Sequence, residues 1–209
     1  LAALPEAERA ELNLVVKRTG CHGFCEKGPL VVLMPEETFY VNVKPKQVAE
    51  IVERSVKGSE VIEELLYRDA GTDAPVAKYG EIDFYKAQTR VAMRNIGLID
   101  PADLDDYLLR DGYAAMVKAL TTMTPQEVLG EVVESRLRGR GGGGFDAGKK
   151  WSHARHAAEA LDKHELYVLC NGDEGDPGAF MDRSIMEGDP HGVLEGMIIG
   201  AYAIGATQG

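Results

Sequence analysis

Between Arg136 and Trp151 the chain reads RLRGRGGGGFDAGKKW. A glycine run such as Gly141 to Gly144 lets main-chain N–H groups converge on an anion without interference from Cβ atoms. Arg138, Arg140, Lys149 and Lys150 add positive charge to a chain whose formal net charge is -11. This composition suits a backbone cradle for a phosphorylated ligand; the competing reading is a flexible surface loop. Two nucleotide motifs half-match it. Gly139, Gly141 and Gly144 have dinucleotide-fingerprint spacing, but a capped helix precedes them where a strand is required. Gly143, Gly148 and Lys149 fit most of a P-loop, yet Lys150 stands where the magnesium-binding Ser or Thr belongs. What survives is the mechanism both share, amides and cations around phosphate. Phe145, inside the run, either plugs the local core or stacks on a planar ring.

A second chemical cluster, Asn171, Asp173, Glu174 and Asp176 in NGDEGDPGAF, follows an apolar run, where ligand sites of open α/β sheets form. Carboxylates beside a phosphate cradle suit a long ligand whose hydroxyl and N–H groups need acceptors. A calcium loop is disfavoured, because Gly175 occupies a ligand position and Asp176 the place of the turn glycine. A magnesium site on two of the carboxylates stays open. Cys21 and Cys25 in RTGCHGFCEKGP are spaced C-x3-C between expected strands. Thiolates there suit zinc or an iron–sulfur cluster, either needing four ligands, with His22 a candidate third; the alternative is a pair of unliganded surface thiols. Cys170 is expected to be a buried packing residue, and His153 and His156 to lie on an exposed helix face.

The 209 residues, 44% hydrophobic, can bury one large or two small cores. The acidic balance argues against a nucleic-acid surface, since Lys and Arg cluster only around the glycines. Three cysteines form no closed disulfide framework, and no secretory leader opens the chain, so a reducing, cytoplasmic setting is expected. The most apolar stretch, Gly192 to Ala206, is too short for a bilayer span and carries Glu195, while Gly192, Gly196 and Gly200 share one helical face suited to close packing. The ends at Leu1 and Gly209 fall in apolar, element-forming sequence, as expected of part of a longer protein.

The elements that must hold these residues are legible in outline. Leu14–Lys17, Leu30–Met34 and Thr38–Val43 read as strands, the last two a hairpin turning at Pro35, Glu36 and Glu37. Pro45 opens a helix with Val48, Ile51, Val52 and Val56 on one stripe, stopped by Gly58. A helical turn follows in Ser59–Tyr67, and Asp69–Gly80 reads as a linker. Helices are expected from Phe84 to about Ile96, from Asp100 and Pro101, and over Gly112–Leu120. Thr124, Pro125 and Glu127 form a capping box for a helix whose buried face is Val128, Leu129, Val132, Val133 and Leu137. A helix from Asp146 to Ala160, a buried strand Leu166–Cys170 and a helix started by Asp189 and Pro190 complete the chain.

Three segments, RLRGRGGGGFDAGKKW, YVLCNGDEGDPGAFMDRSIMEGDPH and LEGMIIGAYAIGA, closely resemble, in this order, the flavin subunit of NADH dehydrogenases. That family includes the flavin subunit of respiratory complex I and its counterparts in soluble NAD-linked hydrogenases and formate dehydrogenases. GCHGFCEKGPLVV with the following hairpin and helix resembles the later half of the thioredoxin-like ferredoxin domain fused ahead of that subunit in the soluble hydrogenase branch, which includes electron-bifurcating members. The resemblance implies an α/β protein with a partial thioredoxin-like ferredoxin domain (1–67), a linker with connecting helices (68–123) and the N-terminal part of an FMN- and NADH-binding domain (124–209). It also implies FMN on Gly139, Arg140, Gly141, Gly142 and Lys150, with Asn171, Asp173 and Glu174 on the flavin side. Phe145 falls where the family stacks an aromatic on the NADH adenine, and Asp176 where it keeps a carboxylate near the nicotinamide.

The implied activity is hydride exchange with NAD(H) or NADP(H), followed by one-electron transfer to iron–sulfur centres. Its partners are the other subunits of a multisubunit oxidoreductase, a small thioredoxin-like ferredoxin subunit and an iron–sulfur, hydrogenase or dehydrogenase subunit, with no nucleic acid and no membrane insertion. Cys21 and Cys25 match the second half of a two-iron ligand set. The first pair and the motif of a four-iron cluster are not in the sequence. The alternatives are the flavin subunit of complex I itself and a non-catalytic docking or relay subunit.

Overall fold

The computed structural model describes residues 5–21, 23–162 and 165–209. They form two compact units, Leu1–Arg94, which mixes helical turns with two small hairpins, and Asn95–Gly209, which is helical with isolated bridges among its described residues.

In the first unit a short helix α1 (Glu6–Glu11) precedes an extended segment that enters the cysteine loop. The expected strand at 14–17 does not form, and Val15 is 72% exposed. The hairpin does form. Strands β1 (Val31–Leu33) and β2 (Thr38–Tyr40) pair antiparallel with Val32 opposite Phe39. Its side chains do not alternate apolar with polar, because both faces are covered. Val31, Leu33 and Tyr40 join one core with Val43, Ile51, Ile62 and Leu65, while Val32, Phe39 and Val41 join another with Ile82 and Tyr85. The buried Tyr40 hydroxyl is satisfied by Ser55 Oγ at 2.7 Å and by the Ile62 N–H at 3.0 Å.

Pro45 opens the next helical stretch as expected, but the helix changes pitch: a 3-10 turn at Pro45–Gln47, α2 (Val48–Glu50), then π-helical turns over Ile51–Lys57 up to Gly58. The segment read as a linker carries the turn and second strand of another hairpin, β3 (Tyr67–Arg68) just before it pairing with β4 (Pro75–Val76) within it. Asp69 orders its turn, accepting from the Gly71 and Thr72 amides at 3.0 and 2.9 Å. The free edge of β2 is then covered, Phe39 N–H donating to Ala77 O and Val41 N–H to Leu65 O.

Past α3 (Asp83–Lys86) the chain runs in turns where a helix to Ile96 was expected. Tertiary packing overrides helix pattern there. In the second unit Asn95 Nδ2 donates to the buried Asp189 at 2.8 Å, and Ile96 fills the space above Gly188. Helices α4 (Leu104–Leu108) and α5 (Ala114–Thr122) follow, then α6 (Pro125–Ser135) behind the expected Thr124 capping box. Of its expected buried face, Val128 and Leu129 are buried but Val133 and Leu137 are exposed. After the glycine loop come α7 (Ala147–Ala160), α8 (Met181–Gly188) and α9 (Pro190–Ile204). The apolar α9 is central, packing on α5, α6, α7 and α8. Its Gly200 lies under the Trp151 ring and Ala203 is fully buried, whereas Gly196 faces open space. Among the described residues no helix is long and apolar enough to cross a membrane.

The expected buried strand Leu166–Cys170 is instead an extended segment with one parallel bridge, Tyr167 to Gln208. With a neighbour on one edge alone it gains little cover. Leu169 is 84% exposed, and Cys170, expected to be buried, is exposed too.

Candidate functional site

The glycine loop is closed at its base and open at its tip. Gly139 N–H donates to Phe145 O at 2.8 Å and Ala147 N–H to Leu137 O at 2.8 Å, so Arg138 and Asp146 face each other as an antiparallel bridge. Gly142 and Gly144 adopt φ of +100° and +57°, the left-handed region that glycine enters without cost. A Cβ built on Gly141, Gly142 or Gly143 would meet nothing within 4 Å. Those three main-chain segments are therefore open to approach from outside.

Directly behind the loop, Asp146 caps α7 by accepting from the Lys149 N–H at 2.9 Å. The positive end of a fourteen-residue helix thus lies beside the loop, with the exposed Lys149 and Lys150 in its first turn and the exposed Arg140 in the loop itself. Phe145 is 57% exposed, so it does not plug the local core and its ring is free for stacking. Arg138, read in the sequence as one more cradle cation, is spent differently: its Nε donates to Gly144 O at 2.6 Å. No pattern in the sequence announces that contact.

The acidic loop is held by the helix after it. Glu174 accepts from the Met181 and Asp182 amides at 2.8 and 3.3 Å, satisfying the first donors of α8. Gly172 abuts the Met186 sulfur of α8, where a Cβ would sit only 2.3 Å away. Asn171, Asp173 and Asp176 remain exposed. Of the four polar groups expected to face a ligand, the Glu174 carboxylate is thus already engaged and the other three are available. Among the described residues, no hydrogen bond or ion pair joins this loop to the glycine loop; each is fixed on its own helix, and both helices pack on α9.

In the first unit Cys21 and Cys25 converge, their sulfurs 3.5 Å apart, and the Gly23 N–H donates to Cys21 Sγ at 3.3 Å. The hydrogen bond that the Cys25 thiol shares with Cys21, and the negative charge Cys21 carries when ionised, push the Cys25 thiol above the ordinary range. Both are exposed, while Phe24 between them turns inward onto Phe39, Tyr67, Phe84 and Tyr85. The two sulfurs lie side by side; the described residues contain no group of three or more side chains that could hold a metal ion, and His22 lies outside them. His153 and His156 are exposed on α7, as expected.

Comparison with known proteins separates the readings that the loop alone leaves open. Residues 132–209, which hold both loops, match a family model described as the Nuo51 FMN-binding domain. The motif resemblance is borne out on the part of the chain that carries it. The Nuo51-type segment sits within wider similarity. The chain is 53% identical over 124 residues to the NADP-reducing hydrogenase subunit HndC of Solidesulfovibrio fructosivorans, covering 59% of this chain and 24% of that protein. It is 49% identical over 116 residues to an NADH-quinone oxidoreductase subunit of Rhizobium meliloti, 56% of this chain and 27% of that protein. The NAD-reducing hydrogenase HoxS subunit alpha of Cupriavidus necator is 30% identical over 201 residues, covering 91% of this chain and 29% of that protein. The chain spans roughly a quarter of the length of these relatives.

Proposed function

We propose that this chain is part of an FMN-containing diaphorase subunit that accepts hydride from NADH or NADPH, or returns it, and exchanges single electrons with iron–sulfur clusters of a soluble, cytoplasmic hydrogenase- or formate dehydrogenase-type complex. The observation that carries this reading is the open glycine tip, Gly141 to Gly143, set between Arg140 and the lysine-bearing start of α7 within the family-matched segment. That donor set fits a phosphate monoester, because it offers unhindered amides, a helix N-terminus and exposed cations together.

When bound, FMN supplies a ring system that accepts a hydride and gives up electrons one at a time. The protein's part is placement. Gly139, Arg140, Gly141, Gly142 and Lys150 would hold the phosphate and ribityl end; Asn171 and Asp173 would serve the ring side, with Glu174 ordering their loop; Phe145 would offer its face to the nicotinamide nucleotide's adenine, and Asp176 would serve its nicotinamide end. Two rings held in register need no general acid for hydride transfer. Cys21 and Cys25 contribute two thiolates to a two-iron cluster in a thioredoxin-like ferredoxin domain.

The hydrogenase branch is preferred to respiratory complex I because similarity to the HoxS protein runs through 91% of the chain, against 56% for the NADH-quinone oxidoreductase relative from Rhizobium meliloti. The test is optical. Purified protein reconstituted with FMN is expected to retain flavin through gel filtration and to reduce an artificial dye with NADH or NADPH, and Lys150→Ala to release the flavin. Failure of the wild-type protein to retain FMN would sink the proposal and leave a docking or relay role.

A further inference from the structure

The glycine loop poses a physical problem. From Gly139 to Gly144 five of six residues are glycine, so holding the loop in one shape costs more backbone entropy than for a loop of ordinary composition. Something must hold it before a ligand arrives, or that cost is subtracted from binding.

Arg138 is placed to do so. Its own backbone is fixed at the loop's entrance by the bridge to Asp146, and its side chain crosses the loop's neck to the exit. There Nε donates to Gly144 O at 2.6 Å, and the guanidinium plane lies beside Gly144, its atoms 3.4 to 3.6 Å from where a Cβ would be. The contact holds Gly144 in the left-handed conformation, φ +57°, at the point where the chain turns back toward α7. A Cβ at position 144 would stand in ordinary van der Waals contact with the guanidinium, so what calls for glycine there is the left-handed backbone that receives the arginine's hydrogen bond.

We propose that Arg138 is a positioning residue that pre-shapes the glycine cradle through the Nε donor, and not a cation that attracts the ligand's phosphate. The inference rests on the reading of the loop as an FMN phosphate site. Donor and charge separate cleanly at this position. Gln places an N–H at the place of arginine Nε without charge. Lys keeps the charge but places a methylene there, and Met supplies neither.

The experiment uses the full chain and three variants, R138Q, R138K and R138M. FMN affinity is measured by quenching of flavin fluorescence, and amide hydrogen exchange of the 138–147 segment is followed without flavin. The expected pattern is an R138Q dissociation constant within threefold of wild type and R138K and R138M weaker by tenfold or more. Faster loop exchange in R138K and R138M, but not in R138Q, is expected alongside. Retained affinity in R138K with loss in R138Q would show that charge is what matters and overturn the proposal, as would any pattern in which R138Q is not separated from R138K and R138M. If wild-type protein binds no FMN, the functional reading fails by itself, and exchange in the flavin-free protein still decides the role of Arg138.

Discussion

Gly148, in the first turn of α7, lies against Val133 of α6 so closely that a Cβ added to it would stand 2.6 Å from the Val133 Cα and 2.7 Å from its amide nitrogen. The obstacle is backbone, which cannot rotate away. This contact sets the separation of the two helices between which the glycine loop is strung.

Gly148→Ala is therefore expected to destabilise the second unit by about 2 kcal/mol, the usual scale for forcing a methyl into a closed interface. A urea denaturation midpoint checks it. A midpoint equal to wild type would mean that α6 and α7 do not meet as described.

The buried Glu195 of α9 accepts from the Tyr107 hydroxyl and from the Tyr113 and Met116 amides, both at 3.0 Å, and so caps α5 from a distant part of the chain. Removing the carboxylate strands these donors in the interior. Glu195→Ala is expected to cost about 3 kcal/mol or more, and Tyr107→Phe about 1 to 2 kcal/mol. Equal, small losses in the two variants would count against the cap.

Neighbouring carboxylates in the acidic loop should behave differently. Glu174 is bound to the start of α8, whereas Asp173 is exposed. Glu174→Ala is expected to lower stability by about 1 kcal/mol, as loss of a helix cap does, and to weaken FMN retention with it. Asp173→Ala is expected to weaken FMN retention at unchanged melting temperature. Parallel melting curves and flavin titrations distinguish the two.

Donation from the Thr124 backbone N–H and hydroxyl holds the Glu127 carboxyl below the ordinary glutamate range. A carboxyl depressed on folding stabilises the native state fully above its unfolded value, and that contribution disappears as pH falls through the folded value. The Thr124–Glu127 contribution is thus present at neutral pH and lost in acid. Glu127→Gln should flatten the acid limb of the stability curve with little effect below it, as read by denaturation midpoints from pH 7 downward. An unchanged acid limb would remove the pairing from the account.

Local rules fixed much of this. Thr124, Pro125 and Glu127 announce the start of α6, Asp189 and Pro190 that of α9, and Gly58 the end of the helical stretch after Pro45, because caps and breakers act within a few residues. Both loops could be picked out from residue type alone, and the flavin family from their order. The β1–β2 hairpin was also readable, though its burial on both faces was not.

What the sequence could not supply depends on partners far along the chain. Leu166–Cys170 has the composition of a core strand, but burial is decided by neighbours, and among the described residues its one bridge is to Gln208. A helix to Ile96 was expected from pattern, yet the contacts of Asn95 with Asp189 and of Ile96 with Gly188 set that backbone instead. Glu195 shows the division most directly. In the sequence it is a charge that argues against a membrane span; in the fold it is the buried acceptor at the head of α5. Arg138 likewise reads as charge, and its crossing to Gly144 emerges only when the loop closes. Residue types and short-range signals determine which chemistry is carried and where helices start, because those energies are local. Which polar group is spent on structure and which stays available to a ligand is settled by tertiary contacts, since a hydrogen bond's partner is a matter of position in space.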